Sequence, residues 1–141
     1  MPISSSPAPR PWWMTALSLF CVATVAFLIS RDLFVPAARD VEVWFGFELH
    51  GAAARATAPL HWALFGVGAW GFWTQRSWIL PTAAGYAFYV ALSHLVWSET
   101  SPNGRGWPMG LVQAALLSIP GLLLLRADRA RHRPRDGHAG G

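Results

Sequence analysis

Four long apolar stretches divide the chain, at residues 12–30, 58–74, 78–97 and 107–125. A membrane-crossing helix needs ~20 mostly apolar residues, with about 17 to 25 as the usual range. None of the four holds an Asp, Glu, Lys or Arg, whereas buried helices of a soluble bundle keep a charged face. The second is the shortest and includes His61. The pattern predicts an all-α fold, an integral membrane bundle of four transmembrane helices. Prolines agree with these limits, since Pro59, Pro81 and Pro108 fall in first turns, where a missing N–H does no harm. Pro120 falls late in the fourth stretch and predicts a kink there.

Between the first two stretches lies "VEVWFGFELHG", residues 41–51, which alternates like a strand yet carries Glu42, Glu48 and His50. Alternation would put Val41, Val43, Phe45, Phe47 and Leu49 on one face. A lone strand beside lipid leaves backbone groups unpaired, and no second strand is apparent elsewhere. Punctuation favours a short helix over 40–51, with Asp40 as cap, Glu42 in the first turn, His50 in the last and Gly51 beyond. At ~1.5 Å per residue it is too short to cross a bilayer. The expectation is an interfacial helix covering the outer mouth of the bundle.

Composition strengthens the membrane reading. The 141 residues are 53% hydrophobic and 13% charged, about half the charge share of an average soluble protein. Of nine tryptophans, Trp12, Trp13, Trp62, Trp70, Trp73, Trp78, Trp97 and Trp107 fall within about a turn of a proposed helix end. Indole favours that headgroup zone because its ring is apolar and its N–H is wet. Cys21 is the single cysteine and sits in an apolar run, so no disulfide framework is implied. The first stretch reads as a retained anchor rather than a cleaved signal, since Arg31-Asp32 separate it from the small-residue site Val35-Pro36-Ala37.

Charge sets the expected orientation. With four spans and both ends inside, the cytoplasmic segments hold Arg10, Arg76, Arg126, Arg129, Arg131, Arg133 and Arg135, against Arg31, Arg39, Arg55 and Arg105 outside. The positive-inside bias therefore places both termini in the cytoplasm, in the cell (inner or plasma) membrane. Residues 1–11 are rich in Pro and Ser, and 126–141 are basic with few apolar residues; both read as disordered tails. The net charge of +4 lies largely in that basic tail, so no folded basic surface points to nucleic acid.

Helix faces carry the remaining chemistry. In the fourth span Gly110, Ala114 and Ser118 form a small-residue stripe, the kind that lets helices approach closely in lipid. In the third, Ala84, Ala87 and Ala91 form another, continuing to His94 and Ser98, while Thr82, Tyr86, Tyr89 and Ser93 carry hydroxyls on the opposite face. These stripes suggest partner subunits docked on the third and fourth helices. His61 and His94 would lie at similar shallow depth on adjacent antiparallel helices, and neutral imidazoles there could ligate haem iron or a divalent metal. Glu42, Glu48, His50, His61, His94 and Glu99 all fall on the outer side. They form either a polar site beneath a lid or a set of solvated loop charges.

Size and span number resemble the small multidrug-type exporters, but those need a carboxylate in the first span, and 12–30 has none. No dinucleotide fingerprint, phosphate loop, nucleophile elbow or paired-cysteine motif occurs. Three roles remain. An accessory or assembly subunit of a larger membrane complex is the leading expectation. The others are a haem or metal protein using His61 and His94, and a membrane enzyme or carrier for a lipid-like molecule with an outer-face polar site.

Overall fold

The computed structural model describes residues 10–132. Helix α1 spans Trp12–Phe34 and is followed by one helical turn, α2, at Pro36–Arg39. A hairpin follows, with β1 at Val41–Trp44 and β2 at Phe47–His50. Helices α3 (Ala52–Trp73), α4 (Ile79–Thr100) and α5 (Gly106–His132) complete the chain.

Three helices, α1, α4 and α5, are long and apolar enough to cross a membrane. The fourth expected span lies within α3, which matches α4 at 22 residues but falls short in hydropathy. Its Arg55 and His61, with its many Gly and Trp residues, lower the mean. Burial supports a lipid surround for the three. Only 17% of the apolar window of α1 and 11% of that of α5 is buried. Large side chains such as Leu19, Phe20, Leu92, Leu116 and Leu123 point outward, where only an apolar solvent would leave them without cost.

The helices pack as two pairs, α1 on α3 and α4 on α5, with little direct contact between α3 and α4. The Ser18 hydroxyl donates to the Ala69 carbonyl (2.8 Å) across the first pair. In the second pair the two small-residue stripes meet each other. Ala84 and Ala91 are buried, a Cβ added at Gly110 would stand 3.0 Å from Ser98 Cβ, and one at Gly121 would stand 3.0 Å from the Phe88 ring. One point of each expected stripe, Gly110 and Ser98, thus packs within the chain. A core of Met14, Cys21, Ala69, Phe72, Ile79 and Leu80, with Leu124 and Ala127 against it, joins both pairs at the end where the termini lie.

Two sequence expectations are corrected by these elements. The segment 40–51 is a two-stranded antiparallel hairpin, not an interfacial helix. Val41 pairs with His50, Glu42 with Leu49, Val43 with Glu48 and Trp44 with Phe47. The missing second strand was inside the same stretch, reached by a two-residue turn at Phe45-Gly46 in which both residues have positive φ, 53° and 85°, as a type I′ turn requires. The basic segment after residue 125 is also partly ordered, since α5 continues to His132. Ala127 packs on the core there, and Arg129, Arg131 and His132 suit the negative end of the helix dipole. At the other tail Arg10 is held by Thr15 Oγ1 and the Trp73 carbonyl, both at 2.9 Å. The rest of both expected tails, 1–9 and 133–141, lies outside the described residues.

Candidate functional site

The hairpin is tied to every helix around it. Asp40, just before β1, takes two hydrogen bonds from Arg55 of α3, at 2.6 and 3.0 Å. Those bonds hold its carboxyl below the ordinary range. On β2, Glu48 Oε1 accepts from Ser101 Oγ (2.6 Å) and from Trp97 Nε1 (2.8 Å) at the end of α4. The Ser101 bond first, and then the Trp97 bond, lower the Glu48 pKa. The turn is fixed by its backbone: Phe45 N–H donates to the Tyr89 hydroxyl (3.0 Å), and Thr100 Oγ1 donates to the Gly46 carbonyl (3.2 Å). Gly46 lies so close to α4 that an added Cβ would meet Val96 and stand 2.7 Å from the Ser93 carbonyl.

Glu42 of β1 is buried at 6% exposure. Burial of a carboxylate is costly unless opposite charge or donors surround it. Arg31 supplies the charge, with Nη2 at 2.9 Å from Glu42 Oε2 and Nε at 2.7 Å from Asp32 Oδ1. Asp32 is itself buried, and its other oxygen accepts from Trp62 Nε1 (2.9 Å). His61 stacks on Trp44, ring centroids 4.2 Å apart and planes at 14°. Its Nδ1 stands 2.5 Å from Glu42 Oε1, within ion-pair reach but off the line of a hydrogen bond.

Beneath this cluster a cleft of about 590 Å³ separates the two helix pairs. Arg31, Glu42, Glu48 and His61 stand at its polar end, and Phe65, Tyr86, Tyr89 and Trp97 form much of its wall. Phe65 meets Tyr86 edge-on at 5.7 Å, and Tyr86 stacks with Tyr89 at 5.7 Å. Ser93 lines the cleft at 9% exposure, and its hydroxyl is buried with no hydrogen-bond partner among the described residues.

Of the six expected site residues, Glu42, Glu48, His61 and His94 border this one cleft. His50 lies 3.7 Å from Glu48 on the outer side of the hairpin, beside Ser101 and Pro102. Glu99 is exposed and borders neither recess. For the histidine pair, Nδ1 of His94 faces the Val90 carbonyl of its own helix at 3.1 Å, while Nδ1 of His61 faces Glu42. Among the described residues no group of three or more His, Cys, Asp or Glu is placed to hold a metal ion. The hydroxyl face of the third span does line the cleft, through Tyr86, Tyr89 and Ser93. Sequence reasoning passed over Arg31, Asp32 and Trp44, which complete the polar end. The Arg-Asp pair closing an apolar run was the available signal.

Comparison of the chain with family models, with curated proteins and with solved structures finds no match.

Proposed function

We propose that this protein crosses the cell membrane four times, with both termini in the cytoplasm, and binds a lipid-like small molecule in the cleft beneath the hairpin. The observation that carries the reading is the cleft itself. It has the volume of a small-molecule site, ~300–1,000 Å³. Aromatic and aliphatic side chains form much of its wall, and Arg31, Glu42, Glu48 and His61 border it at the hairpin. A buried carboxylate such as Glu42 is costly unless it serves a purpose. Phe27 of α1 and His94 of α4 border the cleft while remaining exposed, so the gap between these helices offers a side entrance from lipid. An amphiphile entering there would lay its chain against Phe27, Phe65 and Val90 and its headgroup under the hairpin.

Four spans and internal termini are supported by the distribution of arginine. Arg10, Arg76, Arg126, Arg129 and Arg131 gather at the terminal end, and Arg10, Arg76 and Arg131 rest on the rings of Trp73, Trp70 and Trp13. The hairpin end holds four, Arg31, Arg39, Arg55 and Arg105, so the arginine excess lies with the termini.

Purification in a mild detergent, followed by solvent extraction and mass spectrometry, tests the binding reading. The expected result is a near-stoichiometric amphiphile in the wild type that is lost in Ser93→Phe, which fills the cleft, at unchanged helical content. A wild type that retains nothing, and whose cleft residues take no label from a photoreactive alkyl probe, would overturn it.

A further inference from the structure

The cleft's charge balance defines the ligand more narrowly. Among the described residues Arg31 is the one Arg or Lys that lines the cleft, and it binds two buried carboxylates, Glu42 on the lining and Asp32 behind it. Glu48 adds a third carboxylate on the same cleft, held by neutral donors from Ser101 and Trp97. One guanidinium and the His61 ring thus face three carboxylates. An anionic headgroup would add to an excess that the low-dielectric surroundings already make costly. A cationic one would remove part of it.

The walls agree with the charge. Phe65, Tyr86, Tyr89 and Trp97 all line the same space, and aromatic rings attract an ammonium group most strongly where water is excluded. We infer that the occupant of the cleft is a cationic amphiphile, an amine or quaternary ammonium on an apolar body, with Glu42 and Glu48 as counter-ions and the aromatic wall as its cage. This rests on the amphiphile reading above.

The test uses the full chain in lipid nanodiscs and three photoreactive probes with one diazirine-bearing alkyl chain, ending in trimethylammonium, in a neutral diol or in sulfonate. Cross-linked residues are mapped by mass spectrometry. The trimethylammonium probe is expected to label cleft residues saturably, at a concentration at least about tenfold lower than the diol probe, with the sulfonate probe weakest. Glu48→Gln keeps the oxygen that accepts from Trp97 and Ser101 but removes the charge, and it should erase most of that preference. Glu42→Gln serves as a second variant, scored only if its helical content matches the wild type. Equal labelling by the three probes, or preference for sulfonate, overturns the cation assignment and leaves amphiphile binding standing. No cleft labelling by any probe overturns both.

Discussion

Glu42 and Glu48 are six residues apart on one hairpin and serve it differently. Glu42 turns inward and is held by charge, from Arg31, against a stacked His61. Glu48 is held by hydrogen bonds from Ser101 and Trp97, and these depress its pKa. A carboxyl lowered in the folded state stabilises that state above its unfolded pKa, and the benefit is lost as pH falls through the folded value. Asp40, lowered by Arg55, acts in the same direction. Protection factors for hydrogen exchange at residues 41–50, taken against the unstructured rate at each pH, should therefore be high at neutral pH and fall below about 4.5, the ordinary value for Glu48. Protection that is unchanged down to strongly acid pH would show that neither carboxylate secures the hairpin. The sequence showed four of the residues that border the cleft because ionisable groups stand out beside apolar runs. Arg31 and Asp32 were harder to see, since hydropathy ends the first span at Ser30 while the helix continues to Phe34.

The hairpin is the element whose type was misjudged, although its alternation was plain. Two-residue turns are usually announced by Asn-Gly or Asp-Gly. Here Phe45 takes the left-handed position at φ 53°, an uncommon role for a bulky residue, so local propensity pointed elsewhere. Tertiary contact supplies the compensation, because Phe45 N–H bonds Tyr89 and its ring meets the Tyr89 ring edge-on at 5.2 Å. Gly46 is needed twice over, for its φ of 85° and for its approach to α4. Gly46→Ala is expected to cost about 1–3 kcal/mol, on the scale of a strained backbone position. In hydrogen exchange the loss should appear as faster exchange at β1 and β2, with the core around Met14 and Leu80 unaffected. The stripes on α4 and α5 were legible for a different reason: their 3.6-residue period survives whatever the helices face. Their partner was not legible, because a small-residue stripe looks the same whether it meets its own chain or another.

Across the whole molecule, four helical segments and the polar cluster at the hairpin follow from hydropathy and charge, while the pairing of α1 with α3 and α4 with α5 leaves no mark in either. Orientation is the expectation that belongs to this scale. In a Cys21→Ser background, a cysteine at Asn103 should react with a membrane-impermeant maleimide added to intact cells. One at Ser77 should react only after the membrane is opened. Reaction of both from the same side would rule out the four-span threading.

The division into two pairs also bears on how the cleft could change size. At one end the pairs are joined by the apolar plug around Met14, Ile79 and Leu80; at the other, the hairpin bridges α1 and α3 to α4. Such a body works like a clothes-peg, with its fulcrum among the terminal-end side chains and its jaws clasped by ten residues of strand and turn. On the four-span proposal, loosening that clasp would part the jaws without unpacking either pair, so the width of the entrance would be set from the membrane surface rather than from within the bilayer.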